Sequence, residues 1–189
     1  MEKTVTGAKE HCSDCHVVLV DEKDIPQGSC GKLAAHTNGG VLHRAFSIFI
    51  INEENKILLQ QRATSKYHCP GLWSNSCCSH PRPDRDVLQE ATTRLRCELG
   101  FTTDLHHVDT CTYRVPVDND LTEWEVDHIF VGEFPGTMSP NPEEVADIRW
   151  ITLEELQGSL ASKPSDFTPW LLHILPPFAD WLRDWTIKQ

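Results

Sequence analysis

The stretch SHPRPDRDVLQEATTRLRCELGF, residues 79–101, organises the reading of this 189-residue chain. From Asp86 to Leu99 the apolar residues Leu88, Ala91, Leu95 and Leu99 recur at helical spacing, so the segment is expected to be a helix with one apolar stripe. Asp84 or Asp86 supplies the N-cap, and Gly100 sits just past the end, where a left-handed residue closes a helix. Glu90, Arg94 and Glu98 share a second face at i, i+4 spacing. Read alone, that face is a solvated ladder, with each pair worth about 0.2–0.5 kcal/mol.

Immediately upstream lies SNSCCSHP, Ser74 to Pro81. In an extended chain Cys78 and His80 point to one face, and Cys77 and Ser79 to the other. The pair is either a buried thiol beside a hydrogen-bonded histidine or a reactive thiol beside a metal ligand.

Length and composition set outer bounds. With 39% hydrophobic residues, the chain fits one compact domain, 1–189, with a real core. Residues 1–15 are read as a flexible N-terminal segment. The net charge of −11 opposes nucleic acid or an anionic membrane as the main partner, so an anionic ligand needs locally placed cations. No run reaches the roughly 18 apolar residues of a membrane span, and Met1 to Glu10 has no signal-peptide core, so a cytoplasmic protein is expected. Eight cysteines in such a chain read as reduced thiols. Cys12, Cys15, His11 and His16 form half of a zinc site with no second pair, or else a terminal segment without a role.

Taken in order, Val17–Val20 reads as a strand and residues 21–35 as turn-rich. Next, His36 and His43 flank a Thr-Asn-Gly-Gly turn, and Ala45–Ile51 is apolar enough for a strand buried on both faces. Lys56–Arg62 reads as its hairpin partner across the Asn52–Asn55 turn. Residues 105–115 and 123–134 form a second hairpin, in which Glu123, Glu125 and Asp127 project together from one face. Such an acidic row is either solvated or becomes favourable around a cation. ADIRWIT reads as a strand, Thr152 and Glu155 as a capping box. Thr168 and Pro169 open a last helix, which Pro176 and Pro177 are expected to interrupt or kink.

Several of these segments together resemble the type 1 isopentenyl-diphosphate isomerases. The matches are AAHT with LHRAFS, RATSKYHCPGLWSNSCCSHP, RLRCELG, TYRVPVDNDLTEWEVD and FTPW, in the family's order across residues 32–170. The resemblance implies an α/β (α+β) fold with a Nudix-like mixed β-sheet flanked by helices. It also exposes a decayed Nudix box, G-x5-E-x7-R-E-U-x-E-E-x-G-U, in the opening stretch. With Gly100 as the second glycine, Ser79, Arg85, Thr93, Arg94 and Cys97 replace conserved-pattern residues, while Glu98, Leu95 and Phe101 fit. Losing most of the acids that hold metals counts against hydrolysis, though a Nudix pyrophosphohydrolase acting on a nucleoside diphosphate derivative is the alternative.

By that resemblance Cys78 and Glu125 are acid/base groups assisted by Tyr113, with Glu125 expected to donate and Cys78, its pKa lowered by metal and cations, to accept. His36, His43, His80, Glu123 and Glu125 would hold Mn2+ or Mg2+. Glu98 and the Cys78 carbonyl would hold a second Mg2+ bridging a diphosphate. Lys32, Arg62, Lys66 and Arg94 would contact that diphosphate, and Trp170 would face the carbocation. The implied partner is a small-molecule diphosphate, with no nucleic acid and no membrane, and a monomer is favoured.

Overall fold

The computed structural model describes residues 16–187. Its centre is β3, His43–Ile51. Along one edge β3 runs parallel to β8, Thr122–Glu133, from His43↔Glu125 to Ile51↔Glu133. The opposite edge is shared in turn by β1 (His16–Val20), β6 (Cys77–Ser79) and β4 (Ile57–Arg62). Strand β2, Pro26–Gly31, extends the sheet beyond β1. β7, Leu105–Pro116, pairs antiparallel with β8, whereas β5, Trp73–Ser74, and β9, Val145–Ile151, flank β4. Among the described residues four α-helices complete the mixed α/β architecture: α1 (Lys32–His36), α2 (Val87–Leu99), α3 (Leu153–Ser162) and α4 (Leu171–Ile187).

Strict alternation on β3 builds two cores. Phe46, Ile48 and Ile50 meet Ala91, Leu95 and Leu99 of α2 on one face. Phe49 and Ile51 join Ile129, Val131 and the buried side of α3 and α4 on the other. Because period-two alternation continues along each strand, His43 and Ser47 share the α4 face with Glu123, Glu125 and Asp127 of β8. A row of polar groups therefore prolongs the second core.

Helix α2 forms where its apolar spacing and caps place it. Asp86 accepts from the Gln89 amide at 3.0 Å, a cap worth about 1 kcal/mol, and Gly100 ends the helix at φ 77°. Leu88 does not belong to the stripe; it is 41% exposed, and buried Glu98 takes a place on the inner face instead. Glu90 turns to Arg82 at 2.8 Å, and Arg94 pairs with Glu98 at 2.7 Å. The expected three-residue ladder is thus split.

Other expectations are corrected. In the stretch expected to be turn-rich, the turn is confined to residues 22–23, and residues 26–36 are a strand followed by a short helix. The β3–β4 hairpin keeps its turn but only one ladder pair, Ile51↔Ile57, because β6 occupies the edge of β3 and β4 pairs instead with β9. Helix α4 starts at Leu171, so Thr168 does not cap it through its hydroxyl, which instead bonds Ser74. Pro176 and Pro177 lie inside α4, whose burial of Leu171, Ile174, Leu175, Phe178 and Leu182 offsets the donors they remove. The β7–β8 hairpin and the Thr152–Glu155 capping box are as expected. Cys12, Cys15 and His11 lie outside the described residues, as does the 1–15 segment.

Candidate active site

The polar row is assembled by register. Parallel pairing sets Glu125 opposite His43, and antiparallel pairing sets Tyr113 opposite Glu125. From the other edge β6 brings Cys78 opposite Ser47 and leaves His80 just beyond the strand. Helix α1 supplies His36. The result is a group of buried His36, His43, Glu123 and Glu125 with half-buried His80, whose ligand atoms all lie within 4.8 Å of one another.

The imidazoles are oriented from behind. His36 Nδ1 meets the Lys32 carbonyl at 2.6 Å and His43 Nδ1 meets that of Val41 at 2.7 Å, so each Nδ1–H donates and each Nε2 faces the centre. His36 Nε2 lies 2.7 Å from Glu123 Oε2, and His80 Nε2 lies 2.7 Å from Glu125 Oε1. His43 Nε2 is buried without a hydrogen-bond partner among the described residues, 3.4 Å from Glu125 Oε1. An orphaned imidazole nitrogen among carboxylates, all shielded from water, fits the demands of a divalent cation. The cluster is able to hold a metal ion.

Burial pushes the Glu125 carboxyl up, but the His43 ring and the donating Tyr113 hydroxyl win and hold it at about 2. Asp127 behaves oppositely: burial and the Glu125 charge drive it well above the carboxylate range, and its Oδ1 has no partner among the described residues. Its other oxygen accepts from Ser47 Oγ at 2.7 Å. That hydroxyl lies 3.5 Å from Cys78 Sγ, and the thiol itself donates to Asn75 Oδ1 at 2.8 Å. Burial first, and then Asp127, push the thiol up to about 12, against the hydrogen bonds of Ser47 and Asn75. The lowering expected from sequence rests on a bound metal ion and nearby cations, and the protein groups packed around Cys78 do not by themselves supply it. Cys77 points into the α2 core, as alternation requires.

A second, more cationic region adjoins the first. Glu98 is buried beside the Cys77 thiol, bonded to Gln60 Nε2 at 2.8 Å and to Arg94 Nε at 2.7 Å. Burial raises its pKa, but the Arg94 and Lys66 charges hold it below the ordinary value. Arg94 also meets Glu144 at 2.9 Å, and Lys66 pairs with the same carboxylate. Burial, with Arg94, Arg62 and Lys32 crowding it, outweighs Glu98 and brings Lys66 down to about 8. Arg62 donates to the carbonyls of His68 and Cys69 and lies 5.2 Å over the Trp170 ring. Lys32 sits 5.6 Å over Tyr67. The four expected cations thus converge. Trp170 is buried, with Nε1 donating to Ser74 Oγ at 3.2 Å.

Sequence reasoning passed over Ser47, Asn75, His68 and Glu144. Ser47 and Asn75 are reachable in principle, because one is on the same strand face as His43 and the other stands three residues before Cys78. Glu144 comes from a loop acid with no local signal.

Comparison with known proteins now bears on this geometry. A NUDIX domain matches residues 41–171. An isopentenyl-diphosphate Delta-isomerase of Burkholderia multivorans is 50% identical over 155 residues, 82% of this chain and 87% of its own. This chain belongs to the isopentenyl-diphosphate Delta-isomerase family. A second isomerase, from Halorhodospira halophila, is 41% identical over 170 residues, covering 88% of this chain and 97% of that one. The fold alone is shared with the crystal structure of DR0079 from Deinococcus radiodurans, at TM-score 0.70 and 16% identity over 85% of this chain and 96% of that one. In this chain the surviving acid of the box remnant on α2, Glu98, is fixed by Gln60 and Arg94 beside β6.

Proposed function

We propose that this chain converts isopentenyl diphosphate to dimethylallyl diphosphate by adding a proton at the terminal alkene carbon and removing one two carbons away. The single observation that carries the reading is the convergence of Cys78, Tyr113 and Glu125 with the five-residue histidine–glutamate cluster, in a chain up to 50% identical to proteins of that name. An unactivated alkene is a poor base, so the reaction needs positioned acid/base groups and exclusion of water from a tertiary carbocation. Glu125 is buried and Cys78 half-buried, and each is held by a neighbour: Asn75 accepts from the thiol, and Tyr113 donates to the carboxylate.

In this reading Glu125 with Tyr113 exchanges a proton at one carbon and Cys78 at the other. Since double-bond migration is reversible, each group donates in one direction and accepts in the other. His36, His43, His80, Glu123 and Glu125 would hold Mn2+ or Mg2+, and Glu98 with the Cys78 carbonyl would hold Mg2+ on the diphosphate. Such ions supply charge neutralisation and fix carboxylate geometry. Lys32, Arg62, Lys66 and Arg94 bind diphosphate oxygens, the arginines in forked pairs. The Trp170 ring is the group offered to the carbocation. The same reading takes the protein as a cytoplasmic monomer.

The test is a proton NMR time course with Mg2+ and isopentenyl diphosphate in D2O. Deuterated dimethylallyl diphosphate is expected. Released phosphate would instead favour the pyrophosphohydrolase reading, and an unchanged spectrum would exclude both.

A further inference from the structure

His68 lies in a loop between the cationic region and the histidine cluster, and no role has been given to it. It is 5% exposed, and its Nε2 lies 2.9 Å from Glu123 Oε1. The other oxygen of that carboxylate, Oε2, is the one 2.7 Å from His36 Nε2. The two oxygens of Glu123 are thus divided between two imidazoles, of which only His36 belongs to the five-residue group.

Several contacts fix the ring of His68. Its centroid is 4.3 Å from that of Tyr67 and 5.8 Å from that of Trp170. Its backbone carbonyl accepts from Arg62 at 3.0 Å, and the next amide, Cys69 N–H, donates to Asp118 Oδ1 at 2.8 Å. Among the described residues His68 Nδ1 is buried with no hydrogen-bond partner, so there Nε2 alone connects the ring to a polar neighbour. Against an ionised Glu123, that nitrogen must carry the proton and donate.

We propose that His68 is a positioning residue for the cation site, donating from Nε2 to Glu123 Oε1 so that only Oε2 is presented toward His36, His43, His80 and Glu125. This rests on the reading of that cluster as a divalent-cation site. A carboxylate with one oxygen occupied binds an ion through the other alone. That restraint suits Mn2+ or Mg2+ in a six-coordinate site, and it disfavours Ca2+, whose larger shell takes six to eight oxygens and readily accepts both from one carboxylate. Hydrogen-bonding partners of metal ligands typically change metal affinity by about 10- to 100-fold when removed.

The experiment measures Mn2+ binding to chelator-stripped full-length protein, without substrate, from the electron paramagnetic resonance signal of free Mn2+. Gln places its amide nitrogen where His68 has Nε2, Asn places it short of that point, and Leu has no donor. His68→Gln is expected to bind Mn2+ within about threefold of wild type, while His68→Asn and His68→Leu bind about 10- to 100-fold more weakly and lose preference for Mn2+ over Ca2+. Near-UV circular dichroism checks folding; should the Leu variant not fold, the Gln and Asn variants carry the comparison. Equal affinity in wild type and His68→Asn would overturn the proposal, as would a His68→Gln variant as weak as the Asn one. Wild-type protein that binds no Mn2+ would overturn the cation site itself, and the role of His68 with it. Wild-type binding with unaffected variants would overturn the role of His68 alone.

Discussion

Tyr113 and Glu125 are cross-strand partners on β7 and β8, and the tyrosine hydroxyl donates to Oε2 of the carboxylate. Both side chains are buried, so this bond cannot be exchanged for one to bulk water. Whatever proton Glu125 handles, it handles with Tyr113 attached.

Tyr113→Phe should therefore lower kcat about 10- to 100-fold while leaving Mn2+ affinity within a few-fold, since the ring still packs. Removing a donor to the ionised form lets the Glu125 pKa rise from its depressed value. With Glu125 as the proton donor, the limb of the pH–rate profile that it sets is the alkaline one, where its carboxyl ionises, and that limb should move to higher pH. An unmoved limb would show that Tyr113 does not set the protonation of Glu125.

Cys78→Ala should reduce turnover by about three orders of magnitude or more, because in the proposed reaction it removes one of two acid/base groups. Cys77→Ala should keep most of it and lose about 1 kcal/mol of stability instead, since that thiol fills the α2 core with no exposure. Paired measurements of kcat and urea midpoint separate the two. Equal losses of turnover would mean that packing in β6, and not the Cys78 thiol, had been removed.

Lys66 has a pKa lowered to about 8, so it is charged below that pH and neutral above it. A bound diphosphate favours the charged form and raises this pKa. Affinity should accordingly be flat below pH 8 and fall about tenfold by pH 9.5, as binding comes to require proton uptake. Calorimetric titration with inorganic pyrophosphate at several pH values reads this directly. Lys66→Gln should bind more weakly at pH 7 and show no such decline, and a decline that persisted would assign the titration to another group.

Gly100 holds φ 77° at the end of α2, and a Cβ there would come 2.5 Å from the Ser139 carbonyl oxygen. Gly100→Ala meets both a strained backbone and a backbone clash. A loss of about 2 kcal/mol or more in chemical denaturation is expected. A loss below 0.5 kcal/mol would show that the 139 loop moves aside at little cost.

Much of this was legible in the sequence because side chains with period two or a helical stripe declare their own faces. The alternation of β3 and β8, the caps of α2, and the facing of Cys78 against Cys77 are of this kind. Strand neighbours are another matter. Nothing local in LHRAFS shows that its strand runs parallel to TEWEVD, and the single shared pair between β3 and β4 shows how a plausible hairpin loses its edge to a distant segment. Strand β2 escaped notice because PQGSCG is turn-like in composition; it lies exposed at the sheet margin, where proline at the first position costs no ladder bond. The prolines of α4 misled in the other direction, since their local cost is overridden by burial of the helix.

The site residues divide the same way. The histidines and acids assigned by resemblance do converge, but resemblance could not supply the neighbours that hold them. His68 is a solitary imidazole in a polar loop, and only the fold brings it to Glu123. Glu144 reaches Lys66 and Arg94 across 78 residues of sequence in the first case.

The pairing of β3 with β8 also governs when the site can exist at all. His36 and Glu123 touch across 87 residues of sequence. A chain synthesised only as far as His80, just past β6, already carries all three clustered histidines and Cys78, yet neither carboxylate. Closing so long a loop is among the slower steps of folding, because its entropy is lost before its contacts are gained. Competence for catalysis should hence arrive in one step, late, when the last long-range ladder closes.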